Sequence, residues 1–235
     1  MFHPRGPTFV ELMRQALTST KRGYDLIAPK FDYTPFRTPE PIVEGIAKRV
    51  GKVGTALDVC CGTGAALFHL RACCSERVIG IDFSPGMLDV ARERMESAPG
   101  TARVELVQGD VLDMPFRDEV DAAVSVGAFG HILVEDEPRF LAGIFRALRK
   151  GGRFVFATTE RPSWSSPSRW AAEGFNAAMH VRNAVISPPF VMYYLTFLWP
   201  EIRERLLAAG LTKVEADQNA FAAPYDRVLM VTAEK

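Results

Sequence analysis

The sequence predicts an α/β protein with a doubly wound, mostly parallel sheet. Strand-like apolar runs alternate with helical patterns through the middle of the chain, and one strand–glycine turn–helix unit, LDVCCGTGAALFHL, covers Leu57 to Leu70. Near the carboxyl terminus, two strand-like runs follow each other with a short loop between them. Alternating strands and helices favour a parallel sheet covered on both faces, whereas neighbouring strands with a short connection favour an antiparallel hairpin.

The individual elements follow from local pattern. Helical patterns precede the sheet in FVELMRQALTSTKRGYDLIA and IVEGIAKRV. Five strands are predicted at residues 55–60, 78–81, 103–108, 120–126 and 153–158. The helices between them are predicted at residues 64–73, 85–96 and 137–148. A helix at 201–209 and the hairpin strands within 211–218 and 226–234 complete the pattern.

Length and charge restrict the class of protein. We expect a single domain over residues 1–235, with N-terminal helices in 1–50 and an inserted cap at 159–200. The 28 basic and 28 acidic residues cancel, which argues against nucleic acid or an anionic membrane as partner. No run approaches the ~20 apolar residues of a membrane span, and the first residues lack a secretory pattern. A cytoplasmic monomer or homodimer acting on a small molecule is predicted.

Two acidic residues accompany the glycine turn. Asp58 lies inside the first strand, ahead of Gly62 and Gly64, and Asp82 closes the next apolar run. A buried carboxylate is costly unless it faces a ligand. Glycine lets the backbone approach that ligand, and the first amides of the helix point toward it. Because an acid ~20 residues after the turn can accept hydrogen bonds from a ribose diol, we expect a nucleoside.

The sign of this charge separates two kinds of nucleoside ligand. A dinucleotide carries a pyrophosphate that Asp58 would repel, whereas a ligand with an ammonium and a sulfonium would be attracted. The dinucleotide fingerprint also needs a small residue where this chain has Leu67. These observations favour S-adenosyl-L-methionine (SAM), although an NAD(P)-dependent oxidoreductase with a degenerate fingerprint stays an alternative.

Three motifs in order carry a family resemblance. LDVCCGTG, VIGIDFSPGMLDVAR and VQGDVLDMPF resemble the first three motifs of class I SAM-dependent methyltransferases of the small-molecule type. The resemblance implies a Rossmann-like, seven-stranded sheet that ends in the antiparallel hairpin. It also implies SAM as cofactor, with S-adenosyl-L-homocysteine as its product. A non-catalytic SAM-binding protein is the other alternative.

The resemblance also implies roles for residues of the first motif. Asp58, Gly62 and Gly64 would line the methionine part of SAM. Cys60 stands where the family usually has glycine, which puts close backbone approach there in question. The full set of implied cofactor contacts is Tyr24, Arg37, Asp58, Cys60, Gly62, Gly64, Asp82, Phe83, Met87, Asp110, Val111 and Gly127.

Further roles follow from the second and third motifs. By resemblance, Asp82 would bind the ribose hydroxyls and Met87 would pack on the adenine. Asp110 and the amide of Val111 would read the adenine edge.

The pre-sheet segment YDLIAPKFDYTPFR resembles the part of the family that folds over the cofactor. Its Tyr24 and Arg37 are candidates for contact with the SAM carboxylate, or are ordinary surface or packing residues.

Residues 159–200 interrupt the alternation and hold all three tryptophans. Long insertions in compact domains are usually functional, so we expect a cap over an apolar or aromatic acceptor. A helical subdomain with its own core, or a dimer surface, explains the composition equally well. The candidate acceptor contacts in this segment are Trp164, Trp170, His180, Tyr193 and Tyr194.

His131 is the candidate catalytic residue. It follows the fourth strand, at the carboxyl edge where open α/β sheets bind ligands, and histidine can accept a proton near neutral pH. A base is needed only for a poor nucleophile such as a hydroxyl. The expected reaction is direct in-line methyl transfer to an O, N, C or S atom of the acceptor.

Other enzyme classes fit the sequence less well. The VGAFGHI segment lacks both the Pro-Pro-aromatic motif of nucleic-acid base methyltransferases and the acids of metal-assisted catechol enzymes. The four cysteines form two adjacent pairs, which suit apolar packing better than zinc binding and are compatible with a reducing compartment. No metal is predicted.

Overall fold

A seven-stranded sheet organises the protein. The computed structural model describes residues 3–235, so residues 1 and 2 of the predicted N-terminal helical segment lie outside the described part. The strands are β1 Val53–Val59, β2 Cys74–Asp82, β3 Arg103–Gln108, β4 Val120–Ser125, β5 Leu148–Thr159, β6 Thr212–Asp217 and β7 Val228–Glu234. Their order in the sheet is β3-β2-β1-β4-β5-β7-β6.

The pairing confirms the predicted fold class. Strands β1 to β5 are parallel, and β7 lies antiparallel between β5 and β6. The strand order reverses between β1 and β4, which are direct neighbours in the sheet. Ligands of open α/β sheets bind in the crevice at the carboxyl ends of the strands at such a reversal. The fold therefore places Asp58 and the end of β4 at one crevice.

Helices cover both faces of this sheet. Pro85 opens α5, and the Met87 amide donates to the hydroxyl of the capping Ser84 at 3.1 Å, which fixes where that helix begins. The helices are α1 Phe9–Ala16, α2 Thr20–Ile27, α3 Glu40–Val50, α4 Ala65–Arg71, α5 Pro85–Glu96, α6 Glu137–Ala147, α7 Pro167–Val185 and α8 Glu201–Ala208. None of the helices described is long and apolar enough to cross a membrane.

Alternate strand residues pack into two apolar cores, one on each face of the sheet. In β1, Leu57 and Val59 pack into one cluster with α6 and α8, whereas Ala56 packs into the other with α3, α4 and α5. All three side chains are fully buried. Because successive side chains of a strand point to opposite faces of the sheet, β1 contributes residues to both cores. The strand ends at the crevice are consequently positioned from both sides.

Two strands begin four or more residues earlier than their apolar runs predict. β2 starts at Cys74 rather than residue 78, since its polar first residues still pair with β1 through the backbone. β5 starts at Leu148 rather than residue 153, because Leu148 pairs with Val120 before the register shifts near Gly151. Backbone pairing, which side-chain hydropathy does not report, sets both limits.

The inserted segment folds as one long helix followed by an irregular loop, and both contact the amino-terminal helices. Arg182 of α7 donates from Nε to the Ala16 carbonyl and from Nη2 to the Thr18 carbonyl, each at 2.8 Å. In the loop, the Val191 amide donates to the Thr20 hydroxyl at 2.8 Å. We use the term lid for residues 9–38 together with α7 and the loop 186–200.

Candidate active site

The glycine turn between β1 and α4 uses three left-handed residues. Cys60, Gly62 and Gly64 have φ values of +59°, +51° and +79°. A side chain in this conformation costs about 1–2 kcal/mol, which gives a physical reason for the family preference for glycine where this chain has Cys60. A Cβ on Gly64 would also lie 3.1 Å from the Ala91 Cβ, so α4 and α5 pack closely there.

Asp82 fastens this turn to β2. Its carboxylate is buried and accepts hydrogen bonds from the Gly62 and Ser84 amides, both at 2.9 Å. Burial raises the pKa of Asp82, and the two amides act in the opposite direction. Asp82 thus has a second role that the sequence pattern does not indicate, because its carboxylate also stabilises the turn.

Asp58 carries an uncompensated polar atom. The residue is 1% exposed, and its Oδ1 has no hydrogen-bond partner among residues 3–235. Burial, followed by the neighbouring charge of Asp82, raises the pKa of Asp58 well above its usual value. A buried carboxylate without a partner is unfavourable, so the arrangement suits a ligand that brings a positive charge or a donor.

These residues line one crevice, which we call the cofactor crevice. The lid contributes Phe31 and Thr38, and the start of α4 contributes Ala65 and Ala66. The candidate residues that line the crevice are Tyr24, Arg37, Asp58, Cys60, Gly62, Asp82, Phe83, Met87, Gly127 and His131. The fold therefore brings together candidate residues of α2, β1, β2 and α5 and of the loops between elements.

Three candidate cofactor residues do not line this crevice. Gly64 lies behind it, as the residue that precedes α4. The Asp110 side chain is exposed and accepts from the Leu112 amide at 2.9 Å, so its carboxylate stabilises the local turn. Val111 is packed in the core. Adenine contacts for Asp110 and Val111 stay predictions from the resemblance.

The lid is attached to the crevice by two acids that the sequence analysis missed. Asp25 Oδ1 accepts from the Ser84 hydroxyl at 2.6 Å and from the Gly86 amide at 3.1 Å. Asp32 accepts from the Thr63 hydroxyl at 2.8 Å and pairs with Arg94. Their partners lie 31 to 62 residues away, so local patterning carries no signal for these contacts.

Arg37 reaches the crevice while it remains in ion pairs. Its Nη2 donates to Glu40 at 2.5 Å, and its Nε lies 3.7 Å from an Asp32 oxygen. That Nε is buried and has no hydrogen-bond partner in the part of the chain described. One donor of the fork is thus available for a carboxylate.

His131 joins the lid to the end of β4. Its Nδ1 lies 2.6 Å from the Val191 carbonyl, and its Nε2 lies 2.7 Å from the Tyr24 hydroxyl. A carbonyl only accepts, so Nδ1 carries the proton and Nε2 accepts from Tyr24 in the neutral ring. Burial lowers the pKa of His131, with the Val191 carbonyl opposing it, and burial raises the pKa of Tyr24. The pair is therefore held as a neutral imidazole and a neutral phenol.

A second, larger cavity adjoins the cofactor crevice, and we call it the acceptor cavity. It has a volume of about 450 Å³ and shares Tyr24, Gly127 and His131 with the crevice. The loop that follows α7 supplies Tyr193 and Tyr194 to its wall. A volume of this size lies within the range of small-molecule sites.

The other three candidate acceptor contacts lie elsewhere. Trp164 and Trp170 are 64% and 59% exposed and line neither cavity. Arg169 stacks on the Trp164 ring at 3.4 Å, and the Trp170 indole donates to the Trp164 carbonyl at 2.9 Å. His180 is exposed and stacks on Tyr193 without lining either cavity. Of the five candidates, only the two tyrosines of the loop line the acceptor cavity, whereas α7 and the residues just before it carry the other three at the surface. Acceptor contacts for all five stay predictions.

Metal ligation has no candidate in the described chain. Within residues 3–235, no group of three or more His, Cys, Asp or Glu side chains could hold an ion. All four cysteines are free thiols.

Comparisons with known proteins show similarity to methyltransferases. Residues 56–152 match a family model described as a methyltransferase domain. The chain is 37% identical over 108 residues to a demethylmenaquinone methyltransferase of Symbiobacterium thermophilum, covering 45% of this chain and 43% of that protein. It is 33% identical over 156 residues to a 2-phytyl-1,4-naphtoquinone methyltransferase of Thermosynechococcus vestitus, covering 63% and 64%. The chain thus spans less than two thirds of the length of either relative.

A solved structure shows the same fold. An O-methyltransferase family protein from Burkholderia thailandensis has a TM-score of 0.71 at 16% identity, over 97% of this chain and 67% of that one. Residues 56–152 are therefore similar to methyltransferase domains, and the chain shares its fold with an O-methyltransferase family protein.

Proposed function

We propose that this protein transfers a methyl group from SAM to a small acceptor bound in the acceptor cavity. The observation that carries the proposal is the partnerless Asp58 oxygen at a crevice that opens into a second cavity. When bound, SAM supplies a methyl group activated by a sulfonium. The quinone methyltransferases among the relatives support a small organic acceptor.

The crevice residues fit the parts of this cofactor. Asp58 and Asp82 provide negative potential for a ligand with an ammonium and a sulfonium. Asp82 retains lone pairs for ribose hydroxyls beside the two amides it already accepts. Met87 and Phe83 supply apolar wall for a purine, and the free Nε of Arg37 supplies a donor for a carboxylate.

His131 and Tyr24 stand where the two cavities meet, and we assign them to proton transfer. An acceptor hydroxyl can donate to the Tyr24 oxygen while the Tyr24 proton passes to Nε2 of His131. The Val191 carbonyl keeps Nδ1 protonated, so Nε2 is the atom that receives the proton. A cytoplasmic location, the absence of nucleic-acid binding and the choice between monomer and homodimer stay predictions from the sequence.

Calorimetry with SAM, S-adenosyl-L-homocysteine and NAD⁺ tests the proposal. We expect the first two to bind and NAD⁺ to fail, because Asp58 repels a pyrophosphate. Asp82→Asn should weaken SAM at least tenfold, whereas Asp89→Asn, an exposed change on α5, should leave affinity unchanged. Binding of the nicotinamide cofactor alone would overturn the proposal. Binding of SAM without methyl transfer to any of a broad set of aromatic hydroxyl compounds would favour the non-catalytic alternative.

A further inference from the structure

The acceptor cavity has no formal charge on its wall. None of the described residues that line it is Asp, Glu, Lys or Arg, although these make up 24% of the chain. Among the described lining residues, the imidazole of His131 is the single basic group. Burial lowers the pKa of His131, which keeps the ring neutral near neutral pH. A charged ligand would lose its hydration in this cavity without gaining a countercharge.

Two buried hydroxyl groups of the wall, those of Ser125 and Thr158, already donate hydrogen bonds within the protein. The Thr158 hydroxyl donates to the Phe197 carbonyl at 2.6 Å, and the Ser125 hydroxyl donates to the Val59 carbonyl at 3.0 Å. Both side chains are buried, and both use their single proton inside the protein. Their oxygens consequently offer lone pairs to the cavity, which favours a ligand that brings its own donor.

A hydrogen-bond acceptor is also present where the two cavities meet. The Tyr24 proton is committed to His131, so the Tyr24 oxygen also faces the cavity junction as an acceptor. A ligand hydroxyl donating there would place its oxygen beside the crevice that receives the cofactor. A ligand that offered only lone pairs would find no buried donor at this point.

Building on the proposed function, we propose that the acceptor is an uncharged, mainly apolar molecule methylated on a hydroxyl oxygen, and that phosphorylated, carboxylated or cationic acceptors are excluded. In the reaction, an oxygen–methyl bond forms and the sulfur–methyl bond breaks. The bonding electron pair stays on sulfur, which becomes a neutral thioether. The hydroxyl proton leaves through Tyr24 to Nε2 of His131, so charge and atoms balance.

Equilibrium binding of matched probes tests the charge selection. The protein is first saturated with S-adenosyl-L-homocysteine, and 1-naphthol, 1-naphthyl phosphate and 1-naphthoate are titrated by calorimetry. We expect 1-naphthol to bind at least 100-fold more tightly than either anion, because each anion enters an uncharged cavity. Equal or tighter binding of an anion, or no binding of 1-naphthol, overturns the inference.

A matched pair of added charges sharpens this test. Met192→Lys adds a cation to the cavity wall, and Leu207→Lys adds one to the exposed face of α8. We expect only Met192→Lys to improve 1-naphthyl phosphate binding, by tenfold or more. An equal gain in both variants would mean that the anion binds elsewhere, and would overturn the inference.

A comparison of 1-naphthol with naphthalene tests the preference for a hydroxyl group. Wild-type protein should bind 1-naphthol more tightly than naphthalene, and Tyr24→Phe should remove most of that difference because it removes the accepting oxygen. An unchanged difference would reject the hydroxyl assignment. Failure of S-adenosyl-L-homocysteine to bind at all would reject the proposed function, whereas its binding together with a preference for anions would reject the present inference alone.

Discussion

At the scale of single residues, we propose that Asp58 favours ligand binding at the expense of the stability of the ligand-free protein. Its folded pKa is raised by burial, so its ionised form is less favourable in the folded protein than in the unfolded chain. A raised carboxyl pKa favours folding below the unfolded value, and the advantage is lost as pH rises through the folded value. Above the usual carboxyl pKa, the ligand-free protein therefore bears the cost of burying an acid that we propose binds SAM.

This conflict gives a direct prediction for Asp58→Asn. The variant should raise the free energy of unfolding of the ligand-free protein near pH 7.5 by about 1 kcal/mol, while SAM affinity falls at least tenfold. Urea unfolding and calorimetry measure the two quantities. Asp89→Asn is the control, because Asp89 is exposed and paired with Arg92. Loss of stability without loss of affinity would remove Asp58 from the cofactor site.

His131 predicts a pH dependence of the opposite sign. Its folded pKa is lowered, so the unfolded chain binds the proton first and stability falls as pH drops below the usual value near 6.5. His131→Gln should therefore lose less stability than wild type between pH 7 and pH 5 in urea titrations. The same variant should lower kcat by about 10²–10⁴-fold if His131 is the base. An acid limb of wild-type kcat/KM lying above pH 6.5 would contradict a neutral, buried imidazole.

At the scale of elements, the inserted segment divides into two parts with different roles. The helix α7 presents Trp170 to solvent, whereas the loop after it carries Tyr194 into the acceptor cavity. The two parts are tied together, because Asn176 donates to the Tyr194 carbonyl at 3.0 Å and accepts from its amide at 2.8 Å. Because α7 and the loop both carry aromatic residues, composition alone does not distinguish their roles.

Tyr194→Ala and Trp170→Ala form a matched pair that separates these roles. Both remove a large, partly exposed aromatic side chain from the insertion. We expect Tyr194→Ala to weaken 1-naphthol binding about tenfold, since it removes cavity wall, and Trp170→Ala to change it less than twofold. SAM affinity should hold in both variants. An equal effect of the two changes would place the acceptor outside the cavity described.

At the scale of the whole molecule, the lid and the sheet meet around the cofactor crevice. Asp25 and Asp32 attach the amino-terminal part of the lid to residues at the start of α5, on the glycine turn and within α5. Arg182 attaches the inserted part to the amino-terminal part. Residues of the lid and residues at the ends of β1 and β2 therefore line the same crevice.

Saturation with SAM should stabilise the whole chain. At 100 times the Kd, binding adds about 2.7 kcal/mol to the free energy of unfolding. For a protein of this size, that raises the Tm by roughly 5–10 °C. Thermal scans with SAM, with NAD⁺ and with the Asp82→Asn variant measure it. A comparable rise with NAD⁺, or none with SAM, would contradict the cofactor assignment.

The sequence predicts the sheet far better than the lid. The positions of β1 to β5 along the chain follow from apolar runs and a glycine turn, which depend on neighbouring residues. The cofactor crevice is largely predictable for the same reason, since Asp58, Gly62 and Asp82 end adjacent strands or follow them. The contact of Tyr24 with His131 joins residues 107 positions apart, so only tertiary packing creates it. The outward turn of α7 likewise depends on its neighbours rather than on its own composition.

The hydrogen bond between Tyr24 and His131 has a consequence for the catalytic cycle. Once Nε2 has taken up a proton it can only donate, so the bond must reverse direction and the tyrosine hydroxyl must turn its hydrogen toward another oxygen. The imidazolium then lies in surroundings that disfavour its charge. After each turnover, the imidazolium must therefore lose its proton to water before the Tyr24 oxygen can again accept a hydrogen bond from an acceptor hydroxyl.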